Sequence, residues 1–129
     1  MNSNYQDISN TILRVSLGII FLAHGLLKLL VFTLAGTVQF FESIGLPGWL
    51  AYPVTFGEVI GGALLIVGLL TRPVLALMIP ILLGATWVHL GNGWVFSSPN
   101  GGWEFPLFLV VTTVVSLLAG PGKWRLQKA

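Results

Sequence analysis

Four long apolar stretches alternate with short polar segments along this chain, near residues 11–33, 52–70, 74–91 and 104–120. A helix needs about 20 predominantly apolar residues to cross a bilayer core of about 30 Å. The pattern therefore predicts four transmembrane helices. A polar segment, MNSNYQDISN, precedes the first, and Asp7 or Ser9 is its expected N-cap. Between the first two stretches lies TVQFFESIGLPGWL. There Val38, Phe40, Phe41 and Ile44 predict a short interfacial helix with Glu42 turned to water, closed by Gly45, Pro47 and Gly48. Trp49 and Tyr52 suit the headgroup level.

The turn Thr71-Arg72-Pro73 is so short that it predicts antiparallel, neighbouring second and third helices. Pro80 predicts a kink in the third. After the connection GNGWVFSSPNGGW, Pro106 falls in the first turn of the fourth helix, where a missing N–H is harmless. Gly120-Pro121-Gly122 ends that helix and leaves a basic, amphipathic tail, KWRLQKA.

Composition supports lipid as the main solvent. Charged residues make up 8% of the 129 residues and apolar ones 55%, against about 25% charged in soluble domains. The expected architecture is all-α: an integral membrane four-helix bundle forming a single domain over 1–129. The first stretch is too long for a signal-peptide core and no Lys or Arg precedes it, so it is expected to be a retained helix. With no cysteine, the chain has no disulfide, thiolate metal site, cysteine-held iron–sulfur cluster or covalent haem attachment. A net charge of +2 gives no nucleic-acid surface.

The cations carry topology instead. Arg14, Arg72, Lys123, Arg125 and Lys128 fall on the side holding both termini, and the opposite connections, 34–51 and 92–103, contain no Lys or Arg. The positive-inside rule then predicts cytoplasmic termini in a plasma membrane, with Arg14 and Arg72 as topology anchors.

Five ionisable residues depart from the apolar pattern: His24, Lys28, Glu58, His89 and Glu104. From the helical rise, Lys28, Glu58 and His24 lie roughly 7, 9 and 13 Å below the outer surface, and His89 and Glu104 lie near it. Charge in hydrocarbon is costly, so such groups face a bundle interior and mark a site. Arg14, Gly18, Phe21, Gly25 and Lys28 share one helical stripe, as do Glu58, Gly62, Leu65, Leu69 and Arg72. Gly57 and Gly61 add a small-residue pair for close helix contact.

Each group also has an ordinary structural role open to it. Lys28 and Glu58 form an ion pair that pins two helices, or Lys28 snorkels outward. His24 bonds a carbonyl, His89 sits at the interface, and Glu104 caps the fourth helix. Trp87, Trp94 and Trp103 are belt residues. The functional alternative is a pocket for a quinone headgroup. His24, Lys28 and His89 supply donors to its oxygens, Phe21, Trp87 and Trp103 an apolar wall, Glu58 a proton carrier, and Glu104 with His89 the mouth. A metal site of His89, Glu104 and Glu58 lacks ligand spacing. A bis-histidine haem is disfavoured by a depth difference of roughly 10 Å between the histidines.

The segments LRVSLGIIFLAHGLLKL (13–29), FFESIGLPG (40–48) and GEVIGGALLIVGLLTRP (57–73), followed by Ala85, His89, GGWEFPL (101–107) and GPGKWRL (120–126), resemble the DoxX family in order and over nearly the whole chain. The resemblance implies a polytopic plasma-membrane protein. It also implies a link to membrane oxidoreductases, such as an archaeal thiosulfate:quinone oxidoreductase and a mycobacterial assembly for superoxide and sulfur-compound handling. Lys28, Glu58, Arg72 and His89 match recurring polar positions of that family.

The leading expectation is a membrane subunit of a redox assembly. It binds a quinone or another small redox-active compound in an outer-half pocket, is incomplete as an enzyme without a protein partner, and is open to homo-oligomerisation. The alternatives are a non-enzymatic membrane scaffold and a small proton-coupled carrier.

Overall fold

The computed structural model describes residues 3–95, 97–99 and 101–126, and helices make up most of them, with no strand among the described residues. Five α-helices follow one another: α1 Ser3–Leu26, α2 Thr33–Ser43, α3 Ala51–Val67, α4 Thr71–His89 and α5 Glu104–Ala119. A π-helical turn, Leu27–Val31, extends α1. Three segments are long and apolar enough to cross a membrane: Asn4–Val31, Gly48–Val67 and Thr71–Asn92. The apolar α5 has 16 residues, about 24 Å of rise. The chain is an all-α, membrane-type bundle, with α2 as the short helix expected between the first two long ones.

Three boundaries differ from the sequence reading. The first helix starts at Ser3, so Asp7 and Ser9 lie inside it; Ser9 Oγ donates to the Tyr5 carbonyl at 2.7 Å instead of capping. The polar residues before Thr11 continue the helix beyond its apolar part, and there Asn10 Nδ2 donates to the Ala119 carbonyl at 3.2 Å. The turn between α3 and α4 is Gly68–Leu70, and Thr71, Arg72 and Pro73 form the first turn of α4. Gly68 supplies the left-handed C-cap (φ 80°), while Pro73 sits where backbone N–H groups lack intrahelical partners in any case.

The core joins Leu17 and Phe21 of α1, Leu65 of α3, Val74, Leu75, Met78 and Leu82 of α4, and Leu109 of α5. α1 packs chiefly on α3 and α5 chiefly on α4, and the α1–α5 and α3–α4 seams are the sparser ones. Glycine sets the α1–α3 spacing. A Cβ at Gly62 would stand 2.5 Å from the Leu22 nitrogen, and one at Gly18 would stand 2.8 Å from the Gly62 carbonyl oxygen. Gly61 and Gly57 instead face α4, against Val74 and Ile81.

Arg14 is the main correction. It is 1% exposed, and its guanidinium donates to backbone carbonyls of Leu65 (2.8 Å), Trp124 (2.5 Å) and Pro121. A side chain with this inventory is an internal clamp, not a surface anchor. It fastens segment 120–126 across the end of the bundle where α1 begins, the terminal end. Leu126 N–H adds a bond to the Val67 carbonyl at 2.9 Å, and Gly122 packs on Thr11. Arg72 stays exposed at the same end and donates to the Leu117 carbonyl at 3.3 Å. Lys128, the last of the expected topology cations, lies outside the described residues.

Candidate functional site

The opposite, loop end of the bundle carries the polar groups. At its centre Lys28 Nζ donates to Glu58 Oε1 at 2.7 Å. The local fold brings them together in two ways. Gly25, one turn before Lys28, lets α1 approach α3 so closely that a Cβ there would stand 3.0 Å from the Glu58 Cβ. The π turn then re-aims the helix at Lys28, a device frequent at functional sites. Thr37 of α2 braces that turn, donating to the Thr33 carbonyl at 2.9 Å and approaching the Lys28 carbonyl at 3.4 Å. Glu58 is 8% exposed and Lys28 24%, so the carboxylate is buried and the ammonium partly open.

Beside this pair lies a recess of about 260 Å³. Phe21, His24 and Lys28 line it from α1 and its extension, Glu58 from α3, and Leu82, Ala85 and His89 from α4. Phe105, Pro106 and Leu109 close it from α5, and Gly101 and Gly102 from the preceding loop. Of the residues singled out by sequence, Phe21, His24, Lys28, Glu58 and His89 meet here. Trp87, Trp103 and Glu104 do not line the recess. Trp87 is 55% exposed on the outer face of α4, and Glu104 opens α5, where its carboxylate complements the helix N-terminus. Phe105, Pro106 and the Gly101-Gly102 pair take the places expected of the tryptophans. The quoted motif GGWEFPL contained them, but nothing in it showed which of its residues turn inward.

The two imidazoles are held alike. His24 Nδ1 lies 2.8 Å from the Ile20 carbonyl oxygen and His89 Nδ1 lies 2.7 Å from that of Ala85. A carbonyl oxygen only accepts, so Nδ1 carries the proton in each ring. Neutral His24 and His89 therefore present an acceptor at Nε2, and each becomes a donor there on protonation. The estimated depth difference does not separate them, since the recess takes in both. The wall thus holds a donor, the Lys28 ammonium, and acceptors, the Glu58 carboxylate and two Nε2 atoms, around an apolar floor of Phe21, Leu82 and Leu109. Among the described residues no group of His, Asp and Glu gathers closely enough to hold a metal ion. The set Glu58, His89 and Glu104 does not assemble as one.

An apolar bundle with this polar recess has the make-up of a multi-pass membrane protein. The DoxX family model matches residues 9–91. The chain is 40% identical over 121 residues to a Bacillus subtilis (strain 168) protein named "Putative oxidoreductase CatD", covering 93% of this chain and 84% of that one. This protein belongs to the DoxX family. No solved structure matches it.

Proposed function

We propose that this chain is a plasma-membrane subunit of a redox assembly whose recess binds the headgroup of a quinone or a similar small redox-active ring. The supporting observation is the juxtaposition of Lys28–Glu58 with His24 and His89 around one apolar floor. Reducing a quinone to a hydroquinone takes two electrons and two protons. The chain has no cysteine, hence no thiol carrier, and no redox-metal signature of its own, so a partner protein or second cofactor supplies or removes them. The chain's own part is protons and hydrogen bonds. The Lys28 ammonium has three N–H donors and gives one to Glu58, leaving others for a ring carbonyl. When the hydroquinone is oxidised, neutral Nε2 atoms and the Glu58 carboxylate accept its two hydroxyl protons as two electrons leave for the partner; in reduction the same groups, protonated, return them. The name of the Bacillus relative, an oxidoreductase, agrees in kind.

The orientation that goes with this reading has cytoplasmic termini and an outward recess. Arg14, Arg72, Lys123 and Arg125 all gather at the terminal end, as the positive-inside rule requires. The test is extraction of the purified protein with organic solvent and chromatography of what is released. Wild type retains quinone. Lys28→Ala and Glu58→Gln, shown to be folded by circular dichroism and size exclusion, lose it. A folded wild type that carries no quinone, together with intact partner assembly in both variants, would replace this reading with a structural one in which Lys28–Glu58 merely pins α1 to α3.

A further inference from the structure

Two sides of the recess are closed and one is thin. Toward the aqueous face, loop residues 93–95 and 101–103 meet as a roof. Trp103 N–H bonds the Gly93 carbonyl at 3.1 Å, Glu104 N–H bonds the Trp94 carbonyl at 3.0 Å, and Asn92 Nδ2 bonds the Gly101 carbonyl at 2.9 Å. Gly102 is buried beneath the Trp94–Val95 backbone, and a Cβ there would collide with it. Toward α3 and α4 the walls are Glu58, Leu82, Ala85 and His89, with Leu82 joining the core.

The α1–α5 seam differs. At the terminal end it is locked by Asn10 on the Ala119 carbonyl and by Gly122 on Thr11. At the loop end a stacked ring pair spans it, His24 on Phe105, with centroids 6.2 Å apart. Both residues line the recess, and both are exposed on the bundle's outer surface, Phe105 at 40%. His24 lies within the apolar span of α1 and Phe105 one residue into α5, so the pair sits at the outer edge of the apolar surface.

A polar imidazole at a lipid-facing seam carries a cost that packing alone does not repay. Its backbone bond at Nδ1 satisfies one ring nitrogen and leaves Nε2 for another partner. The recess is also small: about 260 Å³ falls below the roughly 300–1,000 Å³ of drug-sized sites. It has room for a headgroup and none for a long tail.

We propose that the recess is filled sideways from the bilayer, through the α1–α5 seam, with the His24–Phe105 ring pair as its gate. Its ligand is a lipid-dissolved ring whose hydrophobic tail stays outside, lying between α1 and α5. This rests on the redox-ring reading of the recess and adds the route and the tail.

The probe is a benzoquinone with a decyl tail ending in a diazirine, added to the full chain in nanodiscs and photolysed, with adducts mapped by peptide mass spectrometry. The route predicts adducts on α1 and α5 peptides flanking the seam. Lys28→Ala lowers them about tenfold or more, as expected for loss of a charged hydrogen bond. Phe105→Ala, which opens the seam, makes them form faster. Adducts concentrated in residues 93–103 that still fall in Lys28→Ala would overturn the route and leave the site standing. Adducts on any peptide that do not fall in Lys28→Ala would overturn site and route together. An unchanged rate in Phe105→Ala would remove the ring pair as the gate.

Discussion

The guanidinium of Arg14 donates to the carbonyl of Trp124, a residue 110 positions later in the chain, at 2.5 Å. With the Leu65 and Pro121 carbonyls it completes a fully buried cation held by backbone alone. Hydrogen bonds made by a charged group contribute about 1.5–3 kcal/mol each. Arg14→Ala is therefore expected to lower the unfolding midpoint in detergent and to expose segment 120–126 to protease. Arg14→Lys, which keeps the charge but not the three-way fork, falls between the two. Wild-type protease resistance in Arg14→Ala would show that the clamp is not what holds the segment.

The glycines of α1 and α3 make opposite predictions from a glycine in open space. Gly62→Ala places a methyl 2.5 Å from the Leu22 nitrogen, and overpacking of this kind costs about 1–3 kcal/mol. Nothing lies within 4 Å of a Cβ at Gly84, so Gly84→Ala gains about 0.5–1 kcal/mol from helix propensity. Thermal unfolding of the two variants side by side, with the midpoint falling in one and rising in the other, checks the packing.

The Lys28–Glu58 pair couples two helices across a partly buried site. Lys28→Met alone strands the Glu58 carboxylate, and Glu58→Gln alone strands the ammonium. The double variant strands neither. Its loss of stability is expected to fall short of the sum of the single losses by about 0.5–3 kcal/mol of coupling. Strict additivity would mean that the two groups do not depend on each other in the folded protein.

The histidines offer a spectroscopic check. Nitrogen NMR of labelled protein should show both His24 and His89 as the Nδ1–H tautomer when neutral, because each Nδ1 faces a carbonyl oxygen. An Nε2–H signal from either ring would reverse the donor and acceptor assignment of that wall.

Much of the fold was written in hydropathy. The long helices and the short α2 follow from apolar runs, and the turn glycines mark their ends. The stripe Arg14, Gly18, Phe21, Gly25 was legible too, and all four residues are buried. What the stripe could not convey was why Arg14 belongs to it, because its partners arrive from a segment more than a hundred residues away. The same limit hid the roof. Gly101 and Gly102 matter for where their backbone passes, a tertiary property with no local signature. The tryptophans misled because aromatic character alone does not distinguish a recess wall from a lipid-facing belt, and Trp87 faces outward. The π turn at Leu27–Val31, LKLLV, reads like any other apolar helical stretch.

The central claim is that Lys28, beside Glu58, holds a redox-active ring in the recess. Calorimetric titration of the detergent-solubilised protein with a decyl-tailed benzoquinone tests it most directly. Saturable binding to wild type, weakened about tenfold or more in a folded Lys28→Ala variant, is the predicted result. Equal affinity in the two proteins, or no saturable binding to either, would contradict it.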